Sequence, residues 1–252
     1  MLSLVAVGGR DMTQNGIFIT GTGTGVGKTY VGAGIAAALR SMGIDAGVMK
    51  PVETGCRTRN GILVPRDAIA LARAAGVSDP LDQVNPLRFR EPLAPAVAAE
   101  RAGTPIRMGK IVAAFRTLRR KHDFLIVEGA GGIMVPLTYR SSFLDLAASL
   151  GLPVIVVALP GLGTINHTLL TVAALRSREI EIAGIVINYG TSQKAGLAER
   201  TSPTVIERIS GIPVLDIIRR GQRDFCALAK NIAASAGSTP HLYNKAFNAD
   251  LR

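Results

Sequence analysis

The sequence predicts an α/β fold, a mostly parallel β-sheet flanked by helices on both faces. Three observations carry this. Short apolar runs at Ile17–Ile19, Ala46–Met49, Phe124–Val127, Val154–Ala158, Ile182–Ile187 and Val214–Ile218 read as strands, most of them buried on both faces. Segments with apolar residues at helical spacing lie between them. The residues just after the first five runs are polar or glycine-rich, and such a sheet binds ligands beyond the carboxyl ends of its strands. Strand–helix alternation implies right-handed βαβ units.

The first strand runs into Gly21-Thr-Gly-Thr-Gly-Val-Gly-Lys-Thr29, and a helical pattern starts at its end. Strand, glycine-rich loop and helix together make a phosphate site. The glycines let successive N–H groups point into one concavity at the positive end of a helix. Lys28 is placed to reach the outer phosphates and Thr29 to sit on Mg²⁺. The spacing is unusual. A P-loop has four residues between its first glycine and the Gly-Lys pair, but position 22 is threonine and counting from Gly21 leaves five. The fold expected is P-loop NTPase-like, with a variant loop.

Helices are expected over Val26–Met42, Asp67–Gly76, Ala96–Arg101, Ile106–Lys121, Phe143–Leu150, Thr164–Arg178, Leu197–Ile209 and Phe225–Ala236. Glu53–Leu63 reads as loop and Pro80–Pro95, with four prolines, as an irregular connection. With no linker or composition break, residues 1–252 are read as one domain, with 1–15 as a disordered extension and 237–252 as a polar tail.

Composition narrows the function. The net charge of +11 suggests anionic partners, but the basic residues are scattered and tryptophan is absent, so neither a nucleic-acid track nor a stacking platform is expected. No stretch approaches a membrane span. Cys56 and Cys226 form no metal-spaced pair, which fits a reduced, cytoplasmic protein.

At the strand ends, Glu128 follows four apolar residues and precedes glycines, as an acid that holds Mg²⁺ would. Asp67 fits two roles equally, a second metal carboxylate or a helix N-cap. Lys50, beside a proline at a buried strand end, faces the cleft and suits a phosphoryl group that gathers negative charge. His167 reads as structural, and His122 and His241 carry no signal. Asn244-Lys245-Ala246-Phe247 has Phe where a guanine-reading Asp is required, which removes a GTPase. The loop also lacks the early lysine of partition-type ATPases.

The chain resembles the dethiobiotin synthetases of biotin biosynthesis. The resemblance runs from about Ile17 to Asn188 through GTGTGVGKT, MKPVETG at Met49–Gly55, RDA at Arg66–Ala68, NPLRFREPLAP at Asn85–Pro95, VEGAGG at Val127–Gly132, LGTINHTLLT at Leu162–Thr171 and IVIN ending at Asn188. It implies ATP- and Mg²⁺-dependent closure of 7,8-diaminononanoate and CO₂ to dethiobiotin, ADP and phosphate. The path is a carbamate and its mixed anhydride with phosphate. It implies Lys50 and Lys28 as catalytic, and Thr29, Asp67 and Glu128 as metal ligands. ATP contacts follow at Gly25, Val26, Gly27, Lys28, Thr29, Tyr30, Asp67, Glu128, Gly129, Ala130 and Gly131, with Asn188 on the adenine edge. Thr24, Thr54 and Lys50 would meet the diamine or carbamate. The family is a homodimer, and Asn166 resembles the position that captures the substrate carboxylate from the partner subunit. Gly25 stands where some members carry an acid, and the likeness fades beyond Asn188. Two alternatives remain, a partition- or positioning-type ATPase switch and another amide- or urea-forming ligase of the same fold.

Overall fold

The computed structural model describes residues 15–190 and 196–236. The tail expected over 237–252 lies outside the described residues, as does the extension expected over 1–15 except for Asn15. Asn15 is already tied in, its carbonyl accepting the Leu125 N–H at 3.1 Å.

Strand β1 (Gly16–Gly21) leads through the glycine loop to α1 (Lys28–Ser41), then β2 (Ala46–Met49). An excursion follows. It comprises β3 (Val52–Glu53), a hairpin of β4 (Arg57–Arg59) and β5 (Ile62–Val64), α2 (Arg66–Ala75), α3 (Leu81–Val84), β6 (Leu87–Arg88) and α4 (Pro95–Arg101). Helix α5 (Met108–Lys121) returns to β7 (Phe124–Gly132). The chain continues through β8 (Pro136–Thr138), β9 (Ser141–Ser142), α6 (Phe143–Leu150), β10 (Val154–Ala158), α7 (Thr164–Arg176) and β11 (Ile182–Asn188). Helix α8 (Leu197–Ser210), β12 (Val214–Ile218) and α9 (Cys226–Ala236) complete it.

Six strands form one sheet in the order β12-β11-β10-β1-β7-β2, every pair parallel. The P-loop strand therefore sits inside the sheet between two neighbours. Alternation of side chains divides the core in two. Phe18, Leu125, Val127, Val154 and Val156 pack to one face with α5, α6 and α7. Ile17, Ile19, Ile126, Ile155 and Val157 pack to the other with α1, α2 and α9. Phe18 and Ile19 are fully buried. Each such side chain stabilises the fold by about 1.5–3 kcal/mol, so Phe18→Ala removes support under the P-loop as well as core volume.

The expected alternation of elements is present, with corrections. Glu53–Leu63 is not loop throughout. Arg57–Arg59 pairs antiparallel with Ile62–Val64 around Asn60 and Gly61, both at positive φ (50° and 77°). That is the Asn-Gly turn whose twist suits a two-residue hairpin. The connection through Pro80–Pro95 contains α3 and β6, and β6 pairs with β3. Helix α1 begins at Lys28 rather than Val26, because Gly27 is left-handed (φ 91°). Helix α8 contains Pro203, which has no N–H to give the Glu199 carbonyl. The Tyr189 hydroxyl donates to that carbonyl instead, at 2.8 Å.

His122, which carried no sequence signal, is a structural clamp at the amino-terminal edge of the sheet. Its Nδ1 lies 2.9 Å from Asp45 and its Nε2 lies 2.8 Å from Asp79, and Lys121 also donates to Asp79 at 2.9 Å. The ring lies over Gly47 of β2, where a Cβ would come within 2.3 Å of it. Burial opposes a charged ring, but the two carboxylates outweigh it and raise the His122 pKa. A raised folded-state pKa gives stability that is full below the unfolded value, about 6.5, and lost as pH rises through the folded value. His122→Asn should therefore destabilise by about 1–2 kcal/mol at pH 5.5 and by less at pH 9, read by urea unfolding. A stability difference that does not change with pH would contradict the clamp.

Candidate active site

The P-loop builds one wall. Gly25 and Gly27 are left-handed (φ 78° and 91°), so the chain folds back before α1 starts. Helix α1 has no side-chain cap and no acid in its first turn, leaving its N-terminal N–H groups and positive dipole end for an anion. The Lys28 ammonium crosses its own loop to donate to the Gly23 carbonyl at 2.9 Å. Burial, and next the charge of Lys50, lower its pKa to about 8. Phosphate oxygens would favour its charged form.

The neighbouring strand supplies the acid. Glu128 pairs in register with Ile19, and beyond that point two residues of β1 span four of β7 as far as Gly132. Gly129–Gly131 thus bulge outward and Glu128 is left fully buried below them. Glu128 Oε1 accepts the Thr29 hydroxyl at 2.8 Å and the Lys50 ammonium at 2.5 Å. Lys50 also donates to the Gly129 carbonyl at 3.3 Å and pairs with Asp67 at 3.1 Å. Lys50 is only 3% exposed, whereas Asp67 is 46% exposed and opens toward solvent. Burial works against the Lys50 charge, but Glu128 and then Asp67 outweigh it, raising its pKa.

The sequence-expected Lys28, Thr29, Lys50, Asp67 and Glu128 therefore form one linked cluster. Asp67 does not cap α2, whose N-cap is Pro65. Glu128 Oε2 is buried and has no hydrogen-bond partner among the described residues. The Glu128 and Asp67 carboxylates and the Thr29 hydroxyl are hard oxygen donors, the type that suits Mg²⁺. Among the described residues no three His, Cys, Asp or Glu side chains converge on one point, so phosphate oxygens and water would complete the coordination.

Asn188, expected on the adenine edge, reaches the back of the loop, donating to the Val26 carbonyl at 2.9 Å and accepting the Gly190 N–H at 3.1 Å. Among the described residues one amide hydrogen and one carbonyl lone pair of this buried side chain stay unused. The Tyr30 side chain turns away from the loop. Its hydroxyl donates to the Gln222 carbonyl and its ring meets Phe225 edge-on at 5.7 Å, so only its main chain is left for nucleotide. Thr24 is exposed on the loop opposite Gly131, and Thr54 is half-buried just beyond β3. Asn166 is exposed in the first turn of α7, whose N-cap Gly163 is also left-handed and uncapped.

Two residues with no assigned role support the cluster. Asn85 is fully buried and donates to the Lys50 carbonyl at 2.7 Å, and the Lys50 N–H donates to the Val84 carbonyl at 2.7 Å, so the Lys50 backbone is held from both sides. Glu53 is buried and accepts the N–H groups of Asp67 and Ala68, each at 3.0 Å. Both stand inside stretches that carried the resemblance, which was the available signal.

Residues 15–220 match the family described as an AAA domain. An ATP-dependent dethiobiotin synthetase from Thermodesulfovibrio yellowstonii is 43% identical over 81% of this chain and 88% of its own length. One from Methanocaldococcus jannaschii is 42% identical over 83% of this chain and 95% of its own length. The chain belongs to the dethiobiotin synthetase family. A relative from Bacillus licheniformis, 42% identical over 81% of this chain, carries the same name. Among solved structures, a ParA family ATPase from Chlorobium tepidum covers 88% of this chain and 98% of its own at a TM-score of 0.50 and 16% identity. That likeness shows the P-loop fold and no more.

The loop's own geometry gives a test. A Cβ on Gly27 would stand 1.9 Å from the Asn188 amide nitrogen, besides requiring a left-handed non-glycine residue. Gly27→Ala should weaken binding of a fluorescent ATP analogue by at least about tenfold, roughly 1.4 kcal/mol, in a folded protein. Unchanged affinity would show that the loop does not hold nucleotide in this form.

Proposed function

We propose that this chain is an ATP-dependent dethiobiotin synthetase that closes 7,8-diaminononanoate and CO₂ into a cyclic urea. The observation that carries the reading is the Lys50 ammonium, buried beside the P-loop between Glu128 and Asp67. One amine of the diamine takes up CO₂ as a carbamate. A carbamate oxygen attacks the γ-phosphorus of ATP, and ADP leaves. The second amine then attacks the carbamoyl carbon, the C–O bond to phosphate breaks, and phosphate departs with that oxygen.

Phosphoryl transfer of this kind needs positioning and positive charge more than covalent help. Lys28 at the start of α1 and Lys50 just after β2 would neutralise charge on the phosphoryl group and the carbamate. Thr29, Asp67 and Glu128 would hold Mg²⁺, which neutralises phosphate charge when bound. Thr24 and Thr54 would contact the carbamate end, and Asn188 would use its remaining donor and acceptor on the base. We further propose a homodimer in which Asn166 of the uncapped α7 N-terminus receives the substrate carboxylate across the interface. Free Cys56 and Cys226 suit a reducing cytoplasm. Among the described residues no helix is long and apolar enough to cross a membrane.

Diaminononanoate, bicarbonate, Mg²⁺ and ATP should together yield dethiobiotin and ADP in equal amounts, and no product with any nucleotide would overturn the proposal. In Lys50→Gln, whose amide can still donate to the buried Glu128, turnover should fall by about 10²–10³ while ATP affinity changes by less than about tenfold. Turnover like that of the unsubstituted chain would remove Lys50 from the mechanism.

A further inference from the structure

We propose that Glu53 is a positioning residue for phosphoryl transfer, registering Asp67 against Lys50 by gripping the first turn of α2. Helix α2 lacks a side-chain cap of its own, since Pro65 holds its N-cap position. Two of its orphan N–H groups, those of Asp67 and Ala68, are instead taken by the two oxygens of Glu53 at 3.0 Å each. A carboxylate at that end also complements the helix dipole.

A local Ser, Thr or Asp at position 65 would satisfy the same donors. The difference lies in where the anchor comes from. Glu53 stands three residues after Lys50, on the segment that also carries Thr54, so one stretch of backbone fixes both partners of the 3.1 Å Lys50–Asp67 pair. Neither end of the grip can drift. The Glu53 carbonyl accepts the Phe89 N–H at 2.9 Å and its strand pairs with β6. Glu53 itself is 6% exposed and Ala68 is fully buried in the second core. A forked carboxylate on two successive N–H groups sets both the position and the rotation of the turn. That aims the half-exposed Asp67 side chain at Lys50 rather than at solvent.

The proposal rests on the reading of Asp67 as a metal ligand, and a double-mutant cycle separates the two. Glu53→Gln keeps the shape but turns one acceptor into an amide that faces an N–H. Mn²⁺ binding in the presence of ADP, read by electron paramagnetic resonance, is measured with kcat, KM and melting temperature for Glu53→Gln, Asp67→Asn and the double variant. Glu53→Gln alone should raise the half-saturating Mn²⁺ concentration by about 10- to 100-fold and lower kcat, with KM for the diamine within about twofold. In the Asp67→Asn background it should add less than about twofold. Equal weakening in both backgrounds, or unaltered Mn²⁺ binding in Glu53→Gln, would overturn the proposal. If Asp67→Asn alone binds Mn²⁺ normally, the metal reading of Asp67 fails, and the proposal fails with it. Should Glu53→Gln not fold, Glu53→Asp, which withdraws the carboxylate by one methylene, enters the same cycle with the same expected outcomes.

Discussion

The structure turns on a buried ion pair, the Lys50 ammonium against the Glu128 carboxylate. Glu128 is fully buried and Lys50 nearly so. Removing two charges from water costs several kcal/mol each, and their attraction restores this only with good geometry and extra hydrogen bonds. Those extra bonds come from Thr29, Asp67 and the Gly129 carbonyl, while Glu128 Oε2 has none among the described residues. A pair of apolar side chains would stabilise the same place as well or better. Stability alone therefore does not account for the pair, whereas the proposed function does.

Everything around the pair fixes its position. Parallel pairing of β1 with β7 puts Glu128 level with Ile19, two residues short of the end of the P-loop strand. Pairing of β2 with β7 sets Met49 against Val127, so Lys50 and Glu128 emerge side by side. Asn85 and Val84 hold the backbone of Lys50, and Glu53 holds that of Asp67. The excursion between β2 and α5, irregular in outline, serves as the frame of Lys50.

Much of this was legible in the sequence because its signals are local. Buried strands announce themselves as continuous apolar runs, and Gly27-Lys28-Thr29 announces a helix N-terminus open to phosphate. Lys50, Asp67 and Glu128 stood out as charged residues beside strands or helix starts, and the geometry joins them. What was not legible depends on contacts between distant segments. The grip of Glu53 on α2 spans 14 residues and the Tyr30–Gln222 bond spans 192. No periodicity records either. His122 gave no signal because its two carboxylate partners come from separate connections. The β4–β5 hairpin is different, since Asn60-Gly61 between Arg57–Arg59 and Ile62–Val64 was a readable turn that the surrounding polar residues masked.

In the proposed mechanism a phosphoryl group passes to a carbamate oxygen at the Lys50–Glu128 cluster. A single turnover started from carbamate formed with oxygen-18 CO₂ tests it most directly, with the released phosphate read by mass spectrometry. The mechanism predicts one oxygen-18 atom in each phosphate, because the carbamoyl C–O bond breaks when the second amine closes the ring. Unlabelled phosphate alongside labelled dethiobiotin would contradict it.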